Sequence, residues 1–160
     1  MLGMVPAVSI PDKKFMSMFM GLVDGDGYIE IGPQKQYNKS SIIPRSTIRA
    51  RLVLRLHSRD IEFITYLTKV LGLGSISSLN SVNQTRLIIT KKDLSTVIIP
   101  LIKLYNLNFL TFNRISQYAL LNYILDNQII HWEDVKFNPN SALVLKHSVE
   151  SLLKLDFFEG

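Results

Sequence analysis

One segment restricts this chain more than any other. In "TIRARLVLRLH", residues 47–57, two kinds of side chain alternate. Ile48, Ala50, Leu52, Leu54 and Leu56 fall on one side of an extended strand; Thr47, Arg49, Arg51, Val53, Arg55 and His57 fall on the other. Successive side chains of a strand point to opposite faces, so this strand has a greasy side and an arginine side. The sheet that contains it must be covered on one face and open on the other.

The neighbouring segments supply the sheet and its cover. Residues 1–11 read as a loose arm, 12–155 as one domain, and 156–160 as its end or the start of a linker. Asp12 can cap a helix over "KKFMSMFMGLVDG", with Phe15, Phe19 and Leu22 on one face and Gly27 ending it. "YIEIGPQKQY" begins as an alternating strand, with Ile29 and Ile31 inward and Tyr28 and Glu30 outward. Pro33 puts that strand at an edge or interrupts it. Ser58 is expected to cap a second helix that stops at Gly72. "SISSLN" and "TRLIIT" read as a hairpin around Ser81 to Gln84. Helices follow in "DLSTVIIPLIKLY", where Pro100 is a candidate kink, in "FNRISQYALLNYIL" after Thr111, and in "ALVLKHSVESLLKL" after Ser141. Paired strands between helices predict an α+β fold of order αββαββα: a four-stranded antiparallel sheet with helices on one face.

Charge marks the open face. The chain has a net charge of +5, but seven basic residues and a single acid, Glu30, lie between Gly27 and Arg59. Positive charge confined to one segment points to a polyanionic partner. The chain has no cysteine, which excludes disulfides, thiolate zinc sites and cysteine nucleophiles. His57, His131 and His147 stand far apart and read as packed or surface side chains. No apolar run reaches the ~18 residues of a membrane span, and "MLGMVPAVSIPDKK" lacks the charged start of a secretory signal.

The helix before the first strand ends in "FMGLVDGDG", residues 19–27, with Asp24 and Asp26 at its carbonyl end. Helix carbonyl ends carry partial negative charge, so carboxylates there are unfavourable unless something compensates them. An Asp-Gly turn explains one such pair better than two in succession. An EF-hand calcium loop fails, because Leu22 and Pro33 would fall at its first and twelfth positions. A catalytic site for a hard divalent cation fits, since the free carbonyls of the helix end add oxygen ligands to the carboxylates. Met18, Gly21 and Gly25 form a stripe on which a symmetry-related helix could pack and bring two carboxylates together. A backbone phosphate could complete the coordination, which suits phosphodiester hydrolysis.

These nine residues resemble, position by position, the signature of the LAGLIDADG homing endonucleases, and the element order, the basic strand face and the helical tail fit as well. The resemblance covers roughly residues 12–155. It implies a saddle-shaped sheet seated in the DNA major groove and a metal-dependent double-strand break at a long recognition site. It implies Asp26 as the metal-binding catalytic carboxylate, joined by the carbonyl of Gly25, with Asp24 mainly structural at the helix interface. A basic residue from the end of the fourth strand is implied near the metal; Lys91 matches that place, with Lys92 as the alternative. The companion position on the second strand falls near Val53, which does no polar work, leaving Arg51 or Arg55 as substitutes.

Contacts to double-stranded DNA are expected from Tyr28, Glu30, Gln34, Gln36, Arg49, Arg51 and Arg55, and from Asn83, Gln84 and Arg86 of the hairpin. Lys35, Tyr37, Lys39, Ser40 and Arg45 suit backbone contacts. Magnesium is the implied cofactor, with calcium supporting binding and manganese turnover. With Met18, Met20 and Val23 near Gly21 and Gly25, a solitary motif helix would expose apolar surface, so a homodimer is expected. The end "SVESLLKLDFFEG" resembles a connector toward a second motif, so the chain is also expected to correspond to one half of a two-motif protein. The other readings are an intron maturase, acting on RNA, and a DNA-binding half that is inactive alone. A composition rich in Ile, Leu and Asn suits a mitochondrial intron as the coding source.

Overall fold

Helix α1 (Lys13–Asp26) begins where Asp12, in extended backbone, accepts the Phe15 N–H on its side chain at 2.8 Å. The computed structural model describes residues 9–35 and 46–136. Phe15, Met16, Phe19, Met20 and Val23 recur every three or four residues and therefore share the face that α1 turns to the sheet. Met20 and Val23, expected on an exposed apolar surface, are instead core residues for this reason. Met18 alone of the three remains open, at 39% exposure, on the same side as exposed Gly21 and Gly25.

Strand β1 (Gly27–Lys35) follows α1 without a loop and pairs antiparallel with β2 (Ser46–His57). β4 (Gln84–Thr90) pairs with the other side of β2, and β3 (Ser75–Leu79) closes the order β1-β2-β4-β3. Pro33 is tolerated because β1 is an edge strand, so no further strand needs its missing N–H. Ile29, Ala50, Leu52, Leu54, Leu87 and Ile89 face inward and join one core with the buried residues of the helices. Each such large apolar side chain contributes about 1.5–3 kcal/mol when fully buried. The cover is on one face, as the alternation of residues 47–57 predicts, except at Val53, which falls on the arginine side and is nonetheless fully buried.

The helical connections differ in detail from the sequence reading. Ser58 does not cap the second helix directly: His57 Nδ1 accepts the Arg59 N–H at 3.1 Å, and Ser58–Asp60 form a 3-10 turn before α2 (Ile61–Leu71). Gly72 then ends α2 with φ 69, in the left-handed region that glycine adopts at little cost. After β4, α3 (Lys91–Asp93) widens into a π-helical segment, Leu94–Ile98, before α4 (Ile99–Leu104). The Ile99 N–H reaches back five residues to the Leu94 carbonyl, and this wide turn immediately precedes Pro100, which has no N–H to give.

Helix α5 (Phe112–Asp126) packs along β1. A 3-10 turn at Trp132–Asp134 follows, where Glu133 accepts the Ser46 N–H at 2.9 Å and fastens this turn to the start of β2. That backbone hydrogen bond holds the Glu133 carboxyl below its ordinary range. No helix among the described residues is long and apolar enough to cross a membrane. The helix expected after Ser141 and the segment "SVESLLKLDFFEG" lie outside the described residues.

Candidate metal centre and nucleic-acid interface

The site is built from the junction of α1 with β1. Gly27 ends the helix, but in extended backbone, with φ −122, rather than as a left-handed cap. A Cβ here would lie 2.8 Å from the Val53 carbonyl oxygen and 3.0 Å from Val23 Cα, so only glycine lets the helix end press against β2. This close approach fixes where the two aspartates point.

Asp24 is spent within the chain. Its carboxylate accepts the Leu110 N–H at 3.0 Å, the Thr111 N–H at 3.0 Å and the Thr111 hydroxyl at 2.8 Å. These donors lie at the start of α5, whose amino end carries partial positive charge. A group unfavourable at the end of its own helix is thus compensated by the beginning of another. Thr111 gives its hydroxyl to Asp24 and makes no side-chain cap of its own.

Asp26 has no such partner. It is exposed, and no hydrogen bond or ion pair engages its carboxylate among the described residues. Together with Arg55, His57, Asn83 and Gln84 it lines a cleft of about 260 Å³ at the end of the sheet. The donor chemistry fits a hard cation, combining the Asp26 carboxylate with the carbonyls of a helix end, which lack intrahelical partners; Gly25 itself does not line the cleft. It is also incomplete: among the described residues no three acidic, histidine or cysteine side chains come together.

The sheet register removes Lys91 from this centre. Gly27 pairs with Leu54 and Leu54 with Leu87, so Arg55 and Arg86 mark the row beside Asp26. β4 runs away from that row, through Thr90 opposite Arg51, to Lys91. Five residues at about 3.3 Å each put Lys91 roughly 17 Å further along the sheet. The family resemblance implied a basic residue at the end of the fourth strand, whereas in this sheet the direction of β4 carries that end away from the motif helix. Of the alternatives, Arg55 lines the cleft, Arg51 is held by Glu30, and Val53 is fully buried.

The outward face carries the other expected contacts. Arg55 Nη2 donates to the Tyr28 hydroxyl at 3.0 Å, with its guanidinium carbon 5.3 Å from the centroid of that ring. Arg86, directly opposite Arg55, leans the other way, its Nη2 donating to Ser77 Oγ at 3.3 Å. Like charges directly opposite one another in a sheet are destabilising, and a bound anion would relieve this pair. Arg51 Nε donates to Glu30 Oε2 at 2.6 Å. Arg49 is exposed opposite Gly32, Gln34 is exposed near the far end of β1, and Asn83 stands exposed at the hairpin tip with φ 51, beside Gln84. Lys35 ends β1. Gln36, Tyr37, Lys39, Ser40 and Arg45 lie outside the described residues.

Other contributors left no signal in the sequence. Gln117 Oε1 accepts the Ile29 N–H of edge strand β1 at 2.8 Å and the Arg114 Nη1 at 3.0 Å, fastening α5 to the first residues after the motif. Thr111 and the Leu110 N–H hold Asp24, and Ser77 holds Arg86. Gln117 and Thr111 act through Ile29 and Asp24, 88 and 87 residues away, which no local pattern announces, whereas Ser77 meets Arg86 across the β3–β4 hairpin.

An antiparallel sheet with one arginine-bearing open face, joined to a helix that ends in exposed Asp26, defines the class of this α+β protein. The LAGLIDADG endonuclease family model matches residues 19–125, so the chain belongs to that family. Solved structures share the fold. The LAGLIDADG meganuclease I-CpaMI bound to uncleaved DNA is 24% identical, with a TM-score of 0.55 over 69% of this chain and 35% of its own. The homing endonuclease I-SmaMI bound to cleaved DNA is 20% identical, with a TM-score of 0.56 over 86% of this chain and 43% of its own. The same enzyme bound to an uncleaved DNA target with calcium ions is 19% identical, with a TM-score of 0.54 over 82% and 43%. This chain therefore spans less than half the length of the solved structures it matches.

Proposed function

We propose that this chain is the DNA-reading and half-catalytic unit of a site-specific, metal-dependent endonuclease. The observation that carries the reading is Asp26: a carboxylate at a helix carbonyl end with no partner among the described residues, in a cleft shared with Arg55, at the edge of a basic sheet face. The sheet face lies along the major groove, with arginines reading base edges and the basic residues Lys35, Lys39 and Arg45 contacting phosphates. Asp26 and the Gly25 carbonyl would hold a divalent cation, magnesium for turnover, which would supply Lewis-acid chemistry for phosphodiester hydrolysis. Tyr28 orients Arg55, which binds a phosphate oxygen beside Asp26. Asp24 and Gly27 hold the helix end in place.

A second helix end completes the centre. Met18, Gly21 and Gly25 leave a flat stripe on α1, and an added Cβ at either glycine would meet nothing within 4 Å. Exposed Leu110 and Phe112 flank the bonds that hold Asp24 at the start of α5. Pairing along this surface, with a second copy or with another motif-bearing half, brings a second carboxylate to the first.

The deciding experiment measures the mass of the chain alone and on a duplex selected from a random library, in calcium, and then adds magnesium. A dimer on a palindromic site that cuts in magnesium supports the full reading. A monomer on a half-site that does not cut assigns the chain to DNA reading alone, with catalysis dependent on another half. Selection of RNA over every duplex would overturn the reading in favour of an RNA-binding role.

A further inference from the structure

We infer that Glu30 and Arg51 act as one reading unit that selects a G·C base pair, with Glu30 the specificity-determining member. This rests on the reading of the open sheet face as a DNA interface. Glu30 is the only acid between Gly27 and Arg59, and it stands directly opposite Arg51 in the β1–β2 register. The pair is close, with Arg51 Nε at 2.6 Å from Glu30 Oε2, and both side chains reach solvent, at 22% and 37% exposure.

The chemistry follows from which atoms remain free. An arginine offers two two-pronged edges, one through Nε and one through the two terminal nitrogens. Glu30 occupies Nε, and the terminal pair has no hydrogen-bond partner among the described residues. That pair matches the O6 and N7 acceptors of guanine. On the other side of Arg51 stands Thr90, whose hydroxyl accepts the Asp93 N–H at 3.4 Å; no hydrogen bond joins it to Arg51 among the described residues. Glu30 keeps a second oxygen, Oε1, with no partner among the described residues. A carboxylate only accepts, so Oε1 suits the N4 amino group of cytosine and repels guanine O6, thymine O4 and phosphate.

The two residues therefore impose opposite requirements a few ångströms apart. Arg51 demands acceptors and Glu30 demands a donor, which guanine and cytosine meet together. A lone arginine would bind any phosphate or acceptor it reached. Glu30 suppresses those alternatives through repulsion, at some cost in overall affinity, which is how an interface gains discrimination rather than tightness.

The test uses the full chain in calcium, with binding measured to a selected duplex and to every single-base-pair variant of it. Wild type is expected to lose roughly ten- to a hundredfold at one G·C position on change to A·T, the range of a good bidentate contact. In Glu30→Gln the loss at that position falls below about threefold while mismatched duplexes bind more tightly, as expected when a repulsive element is removed. Arg51→Lys keeps the charge but not the planar fork, so it loses the same preference while retaining affinity for unrelated DNA. Thermal unfolding of each variant confirms an intact fold. An unchanged preference at every position in Glu30→Gln overturns the reading unit while leaving DNA recognition standing. A wild type that selects no sequence overturns the DNA interface itself and the unit with it.

Discussion

Asp24 Oδ1 accepts both the backbone N–H and the hydroxyl of Thr111, at 3.0 and 2.8 Å, across 87 residues of sequence. The motif helix is therefore clamped at its end by the beginning of α5. The two aspartates, two residues apart, have opposite fates: Asp24 is held by three donor groups, and Asp26 has no partner among the described residues. A hydrogen bond to a charged group contributes about 1.5–3 kcal/mol, and a partly exposed cluster sits toward the lower part of that range. Asp24→Ala is expected to cost about 1–3 kcal/mol in urea unfolding. Asp24→Asn, which exchanges one acceptor oxygen for a donor, should cost less but still measurably. Unfolding midpoints indistinguishable from wild type in both variants would show that the clamp contributes nothing.

Asp26→Asn is expected to leave folding and DNA binding intact, because no described contact depends on the carboxylate. Cleavage in magnesium should fall by on the order of a thousandfold or more, as for loss of a ligand to a metal that supplies several kcal/mol of charge stabilisation. Plasmid cleavage and gel-shift binding on the same preparations separate the two effects. Retained cleavage would remove Asp26 from the centre.

The glycines of the motif should divide into two kinds. Gly27→Ala places a Cβ against backbone atoms of Val53 and Val23, which cannot swing aside, so a destabilisation of about 1–3 kcal/mol is expected. Gly21→Ala and Gly25→Ala meet open space within the chain and gain up to ~1 kcal/mol of helix propensity. The same two changes should weaken self-association or pairing with a second half, read by sedimentation. A stabilised monomer with unchanged association would place the partner helix elsewhere.

Arg55→Ala is expected to lower cleavage at least tenfold, whereas Lys91→Ala, far along the sheet, should change it less than about threefold. Single-turnover rates on a preselected duplex distinguish the two. The reverse pattern would mean that the register assigned to β4 in the DNA-bound protein differs from the one described.

Glu133 offers a pH-dependent fastening. Its folded pKa lies below the ordinary value because the Ser46 N–H favours the carboxylate, so the unfolded chain binds the proton more readily. The hydrogen bond should thus strengthen the fold near neutral pH and lose its effect as pH falls through the lowered folded value. Protection of the Ser46 amide from exchange should follow that course in wild type and be reduced at neutral pH in Glu133→Gln. Equal protection in both proteins at neutral pH would dismiss the contact.

The clearest information in the sequence was periodic. Alternation over residues 47–57 dictated a strand buried on one face, and the spacing of Phe15 and Phe19 dictated which side of α1 met it, because period alone decides the face a side chain takes. Gly72 and Asp12 announced their caps, since a cap depends on residues only a few positions apart. The nine residues 19–27 announced the family and the helix end. What they could not announce was the difference between Asp24 and Asp26, two identical side chains two positions apart. That difference arises because α5 returns to offer Leu110 and Thr111 to one and nothing to the other.

Lys91 stands far from Asp26 for the same physical reason. Its distance from Asp26 is set by strand order and direction, quantities that exist only once β2 and β4 have paired. The ion pair of Glu30 with Arg51 and the contact of Arg55 with Tyr28 likewise follow from the register between β1 and β2, fixed where Gly27 packs on Val53. The sequence by itself thus determined the elements, their buried faces, the basic character of the open face and the carboxylates at the helix end, all properties of short-range spacing. Only the tertiary structure decided which carboxylate is free, which cation stands beside it and which arginine is held by an acid, because each depends on side chains brought together by long-range pairing.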